Sequence, residues 1–528
     1  MKNNKLRTST ILVLAILCVT VVFPIITLLM SINLADFKEV FGSQQFMTLL
    51  KNSVVTTLIA TVLSVTLAMT LAWCLNRSNM KAKNIFSVWF TLPMLIPSIS
   101  HAMGLLLLLG DNGILTNVLG INIGLYGYTG IIMGSILYSF PVAFLLLTDS
   151  YRYEDYTTYE SAQVLGLTKF QQFVSITLPN LKRPLISAFF AVFTMIFTDY
   201  GVPLILGGKH MTLSVYMYRE VIGLLNFSKG ALIGTVLLIP AVIAFIVDLK
   251  QSSSSNQSTV VKPYNIQENK LRDVISTIYS FVMAFLVSLP IMAFIYLSFV
   301  KKFPIDMSFS LDNIRHSFEL GVGSYLLNSI TIALLSAIFG VVITYFTAYL
   351  TSRNSGGKSK MVLHLIAIIT LAIPGVVLGL AYVLFFNGTF FYRTLLILVL
   401  VNITHFFASP YLLAYNSLKK FNSNLEDVSS SLGISSLKML TDVYIPCTQD
   451  TIIEMFTYMF VNAMVTISAV SFLANLRTMP IALLIPQFDS QSLIEGAAFI
   501  SVLILVINLI AKLIINVYRK YAVNTVVE

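Results

Sequence analysis

Residues 154–184 read EDYTTYESAQVLGLTKFQQFVSITLPNLKRP, a polar and amphipathic interlude in an otherwise apolar chain. The pattern occurs twice. Glu160, Ala162, Gly166, Ile176, Leu178 and Pro179 recur at a constant offset of 267 residues as Asp427, Ser429, Gly433, Val443, Ile445 and Pro446. Thr168 stands where it can cap a short helix beginning after Gly166, and Gln171, three residues on, completes a capping box. Ser435 takes the same position in the second copy, where Lys438 replaces the glutamine. Phe170 and Phe173, like Leu437 and Leu440, fall three apart, the spacing of a helix with one buried stripe. The prolines then predict a stop. A helix, a glycine corner, a capped helix and a stop, made twice, is more than a connector requires.

Around these two stretches the composition is that of an integral membrane protein. Of 528 residues 57% are hydrophobic and 11% charged, where soluble domains carry roughly a quarter charged residues. Apolar runs long enough to cross about 30 Å of hydrocarbon recur along the chain, and they are continuous rather than alternating, which predicts helices and not barrel strands. A net charge of +10 raises nucleic acid as a partner. The basic residues are dispersed through short loops without interleaved aromatics, so a lipid bilayer accounts for them and nucleic acid is not expected. Cys18, Cys74 and Cys447 show no paired or metal-like spacing and read as packing residues.

Taken in order, the chain predicts an all-α protein of about twelve transmembrane helices. Six fall at about 11–33, 52–75, 84–109, 128–148, 185–206 and 230–248, and six at about 273–298, 326–350, 361–386, 394–415, 453–473 and 497–517. The first run is too long for a cleaved signal and is expected to be retained. Residues 250–272, KQSSSSNQSTVVKPYNIQENKLR, have the composition of a flexible tether. The domains expected are therefore a first half, 1–249, a linker, 250–272, and a second half, 273–528. Asn52, Arg77 and Pro97 match Asn328, Arg353 and Pro374, so the six-helix halves form a parallel internal repeat. Lys and Arg are roughly twice as frequent in the loops on the side of both termini and both repeated stretches, which predicts that this side is cytoplasmic. The opposite loops, 207–229 and 299–325, still carry Lys209, Arg219, Lys229, Lys301, Lys302 and Arg315, read either as solvated charge or as a docking face.

The repeated stretch resembles the cytoplasmic signature loop of binding-protein-dependent ABC importer permeases: Glu-Ala-Ala, three residues, Gly, nine residues, Ile-x-Leu-Pro. The first copy keeps most of it. The second is degenerate, with Asp427 for the glutamate, Val428 and Ser429 for the alanines, and Val443 and Ile445 as milder changes. The resemblance implies coupling loops at 150–184 and 417–448, each seated in a groove of an ATPase subunit, and hence two ATPase subunits and an external solute-binding protein as partners. It also implies a multi-pass location in the bacterial plasma membrane. The segment from Thr198 to Asp248 is similar to fused permeases of 2-aminoethylphosphonate uptake, and the ferric-iron permeases share the fused plan and an Asp-aromatic-Gly element.

No G-x-x-x-x-G-K-[ST] loop occurs in the chain, so ATP and Mg are expected on a separate subunit, with no catalytic residue and no cofactor here. Ionisable residues in spans are costly and are candidates for the translocation path. Asp199, in Asp199-Tyr200-Gly201-Val202-Pro203, either presents a broken helix to a solute or caps that helix. In the second half Ser468 and Ser471 either line a pathway or serve packing. His101, His364 and His405 are scattered, so no metal site is expected. Pro93, Pro97 and Pro374 are expected to kink pore-lining spans. The function expected is passage of a small polar solute, a phosphonate or alternatively ferric iron. An ion-coupled secondary transporter would need more buried acids and bases, and a membrane enzyme a catalytic cluster.

Overall fold

In hydrocarbon a backbone must satisfy its polar groups internally, so each long apolar run folds as a helix. The computed structural model describes residues 2–120, 122–252, 262–353, 358–422 and 424–527. Among them nine helices are long and apolar enough to cross a membrane, and two bent pairs, Lys358–Ala372 with Gly375–Phe386 and Leu395–His405 with Ala408–Lys419, bring the number to eleven. The remaining expected span, 453–473, is the 17-residue helix Gln449–Val465 followed by turns. Its apolar tail is buried without being helical: Ile467, Ala469 and Val470 lie in the interior. Hydropathy reports burial and not backbone geometry.

The prolines do more than kink. Pro93 sits in a 3-10 turn, Leu92–Leu95, and Pro97 precedes a new helix, Ser98–Leu109. Pro374 falls at the same kind of break, where the two helices meet at 113°. Missing N–H groups and the extended backbone forced on the preceding residue explain why both spans restart there.

Packing divides the chain into two compact units, one of residues 1–40, 217–238 and 310–528, the other of residues 41–216 and 239–309. Sequence repeat and compactness therefore partition the chain differently. In the first unit Thr8–Met30 packs beside the second-half helix Gly375–Phe386, and Tyr382 donates its hydroxyl to the Thr20 carbonyl at 2.9 Å. In the second unit Lys270–Leu297 lies against first-half helices. Gly104 allows that approach, since a Cβ there would come within 2.5 Å of Pro290 Cβ. Trp89 Nε1 donates to Ser288 Oγ at 2.5 Å in the same contact. Cys74 is buried, whereas Cys447 is exposed, against the packing role expected of it.

Candidate functional site

The two repeated stretches fold alike. In the first, Thr157–Val164 ends at Gly166, which adopts φ +75°, and Thr168 then caps Lys169–Gln172. The capping box is complete: the Gln171 backbone N–H donates to Thr168 Oγ1 at 3.3 Å and the Thr168 N–H to Gln171 Oε1 at 2.8 Å. In the second, Leu425–Ser431 ends at Gly433, φ +69°, and Ser435 caps Ser436–Met439 by accepting from the Lys438 N–H at 3.2 Å. Open space surrounds both glycines, so backbone conformation and not crowding calls for glycine there.

Neither proline stops its helix as expected. A π turn, Phe173–Thr177 in one copy and Leu440–Tyr444 in the other, leads straight into the next helix. Leu178 and Ile445 bond back five residues, to Phe173 and Leu440, so Pro179 and Pro446 fall in the first turn of a new register. A proline N–H is not required there. The first copy then continues as one helical run, Lys169–Thr198, while the second breaks at Thr448.

The expected buried stripe is also corrected. Leu440 is buried and Phe173 half-buried as that stripe requires, but Phe170 is 76% exposed and Leu437 69%, and each of these two is joined across its glycine corner by a second exposed leucine, Leu165 at 77% and Leu432 at 69%. All four obey the 267-residue offset. Two matched apolar patches thus stand in solvent-facing positions, which marks contact surfaces better than core. Of the other signature positions, Ala162 and its counterpart Ser429 are buried, and Ile176, Val443, Ile445 and Pro446 are half-buried. Leu178, Pro179 and Asp427 are exposed.

Each stretch is held by an anchor that the sequence does not reveal. Arg77 is ion-paired with Glu154, both side chains buried. Glu154 also accepts from the Tyr159 hydroxyl at 2.5 Å and from Asn180 Nδ2 at 3.2 Å. In the second copy Arg353 holds Glu426 through two bonds of 2.6 Å, and Tyr444 donates its hydroxyl to the same carboxylate at 2.5 Å. Burial, and then the neighbouring carboxylate, raise the Tyr159 and Tyr444 hydroxyls above their ordinary pKa, keeping both as donors. By the offset of 267, Glu426 corresponds to Tyr159 and not to Glu154. The same three groups are assembled from different positions, so alignment of the halves hides the equivalence. The matched arginines were its only visible sign.

The segment joining the halves is no plain tether. Residues 253–261, with most of the serine run, lie outside the described residues, but 262–269 are docked on the first stretch. The Tyr156 N–H donates to the Lys262 carbonyl at 3.0 Å, and Lys262 Nζ pairs with Glu160 at 2.5 Å. The Tyr264 ring lies 5.1 Å from the rings of Tyr156 and Tyr159 and 3.7 Å from the Arg77 guanidinium carbon. Aromatic burial outweighs the polar composition that suggested flexibility.

The helix breaks at Pro97 and Pro374 meet the ends of the fifth span of each half. Asp199 is buried and accepts from Ser98 Oγ at 2.7 Å and from the Val202 N–H at 2.9 Å, so of its two readings the capping contacts are present. Tyr200 beside it is fully enclosed. Asp199 and its counterpart Thr466 share one extended conformation, φ −71°, ψ 131° and φ −68°, ψ 134°. In the second half a Cβ on Gly375 would lie 2.3 Å from Ser468 Oγ and 3.0 Å from His405 Nε2. Ser471 donates to the Ser468 carbonyl at 3.1 Å. Of the cations in the loops at 207–229 and 299–325, Lys229, Lys301 and Arg315 are in ion pairs. Among the described residues no three His, Cys, Asp or Glu side chains gather as a metal site.

Comparison with known proteins bears directly on the duplicated stretch. The family model described as "Binding-protein-dependent transport system inner membrane component" matches twice, over residues 60–251 and 340–520, once in each half. A putative ferric transport system permease protein of Haemophilus influenzae is 26% identical over 510 residues, 90% of this chain and 79% of that protein. The ferric transport system permease protein of Actinobacillus pleuropneumoniae is 28% identical over 416 residues, 75% of this chain and 59% of that protein. A thiamine transport system permease protein of Haemophilus influenzae is 24% identical over 361 residues, 65% of each chain. With two family matches that cover most of its length and a duplicated corner within each, the chain belongs to the binding-protein-dependent family of ABC importer permeases, both membrane halves fused in one polypeptide.

Proposed function

We propose that the two repeated stretches are coupling segments, each receiving one subunit of a separate ATPase, and that ATP and Mg are bound there and not on this chain. The observation that carries this reading is the pair of matched exposed patches, Leu165 with Phe170 and Leu432 with Leu437, each beside a left-handed glycine in a stretch held by a buried arginine anchor. An apolar centre with a polar rim suits a protein groove. Glu160 and Asp427 are acidic contacts on that rim, Gly166 and Gly433 set the corner, and Ala162 is the small residue against which it packs. Ile176, Leu178 and Pro179, like Val443, Ile445 and Pro446, carry the π turn into the following helix. On this reading both termini and both segments face the cytoplasm of a bacterial plasma membrane, and an external binding protein delivers the solute.

Ferric iron is the better supported solute. Two of the relatives reported above are named for ferric transport and none for a phosphonate. The broken helices at Ser98 and Gly375, with Asp199, Tyr200, Ser468 and Ser471, are the proposed pathway elements. The test is reconstitution of the permease with the ATPase and binding protein of its own gene cluster, followed by uptake of ferric ion and of 2-aminoethylphosphonate. ATP-dependent uptake of ferric ion alone is expected. Uptake of the phosphonate alone would reverse the solute assignment, and uptake without ATP would remove the coupling role.

A further inference from the structure

Beside the first repeated stretch, the unit of residues 41–216 and 239–309 encloses a cavity of about 820 Å³. One wall comes from membrane helices: Met69 and Trp73 from the last turns of Gln44–Arg77, Ile275 and Tyr279 from the first turns of Lys270–Leu297. At 1.5 Å per residue this wall rises about 12 Å from Arg77 to Met69, into the depth of the hydrocarbon. The other end is polar and lies at the membrane surface, where Arg77, Lys169 and Arg272 meet a set of tyrosines. Thr70 and Ile275 are exposed, so the mouth opens sideways on the flank that faces lipid.

Two observations show that the protein does not satisfy this cavity by itself. Tyr151 lines it fully buried, with a hydroxyl that has no hydrogen-bond partner among the described residues. The charges are also unequal: Arg77 is balanced by Glu154 and Arg272 by Asp273, while Lys169 has no ion-pair partner among the described residues. An apolar chamber at hydrocarbon depth, ending in a surplus cation and hydroxyl donors at the surface, has the polarity of an anionic amphiphile. Basic recesses between membrane helices suit anionic headgroups on general electrostatic grounds.

We propose that this cavity is a binding site for an anionic phospholipid of the leaflet on the side of the repeated stretches. The phosphate lies toward Lys169 and the tyrosine hydroxyls, and an acyl chain runs along Met69, Trp73 and Ile275. Because Lys169 and Phe170 belong to the first coupling segment, the bound lipid is in contact with the element proposed to receive the ATPase.

The chain offers its own reporter. Trp73 and Trp89 are its two tryptophans, and Trp73 lines the cavity. The full-length permease carrying Trp89→Phe is placed in phosphatidylcholine vesicles doped with brominated phosphatidylglycerol or brominated phosphatidylcholine, with no ATPase present. Quenching of Trp73 by the anionic lipid is expected to be about fivefold stronger, the weight of one interfacial cation, and to fall to the phosphatidylcholine level in Lys169→Glu. Equal quenching by both lipids, or none by either, would overturn the proposal. Competition by soluble glycerol phosphate that abolishes the difference would show a free-phosphate site and overturn the lipid assignment. Should Trp89→Phe not fold, a photoactivatable phosphatidylglycerol on the unmodified chain is expected to crosslink within residues 69–73, and crosslinks confined to other spans would refute the site. The assay needs no ATPase, so it fails or succeeds independently of the coupling reading.

Discussion

Replacing Glu154 by glutamine is the sharpest probe of the anchor that holds the first repeated stretch. The carboxylate accepts from Arg77, Tyr159 and Asn180, and both members of the ion pair are buried. In Glu154→Gln the Arg77 guanidinium keeps its place over Tyr264 but faces an amide that donates as well as accepts. Breaking one side of a buried pair costs about 3–5 kcal/mol, because the remaining charge is left desolvated. At 1.36 kcal/mol per decade this is a factor of about a hundred or more in the local opening equilibrium. Glu426→Gln is expected to cost less, about 1–2 kcal/mol, since Glu426 is 33% exposed and water relieves part of the loss. Hydrogen exchange over residues 154–184 in the isolated permease reads the effect directly. Protection there should drop by about two decades in Glu154→Gln while residues 421–448 are unchanged. Replacing both partners, Arg77→Met with Glu154→Leu, should restore most of the protection, since no buried charge remains. Unchanged exchange at 154–184 in the single variant, or a double variant worse than the single one, would refute the anchor.

Three further outcomes follow from the same geometry. Gly166→Val and Gly433→Val each place a β-branched residue in the left-handed region at a cost of about 1–2 kcal/mol, and ATP-driven uptake should fall while membrane insertion, read by protease mapping, stays normal. Leu165→Asp with Phe170→Asp changes two side chains that are each about three-quarters exposed, so thermal stability should hold within about 0.5 kcal/mol while capture of the ATPase is lost. Lys262→Glu sets like charges against Glu160 and Asp155, and limited proteolysis should then cut within 262–269 faster than in the unmodified chain.

Much of the site is legible in the chain because its signals are local. A glycine followed two residues later by a hydroxyl cap specifies the corner through bonds between residues three apart, and the Thr168 box and the Ser435 cap form as read. Continuous apolar runs settle the helical membrane class, because hydrocarbon leaves the backbone no alternative. The constant offset of 267 establishes the duplication without any structure.

What tertiary structure alone decides is which distant groups meet. Arg77 finds Glu154 while Arg353 finds Glu426, carboxylates at unmatched positions: Phe421 stands at the position matching Glu154 and Tyr159 at the one matching Glu426, so each arginine pairs with the acid that its own fold brings near. Phe170 and Leu437 have the spacing of core residues yet face outward, since periodicity identifies a face without saying what covers it. Residues 262–269 look like tether until the tyrosine rings of another segment are beside them. Apolar residues 467–473 are buried as turns, because hydrophobicity is the same for a helix and for a loop packed inside protein. Backbone hydrogen bonds act over a few residues and can be read along the chain; burial and charge pairing act through space, and only the folded arrangement assigns their partners.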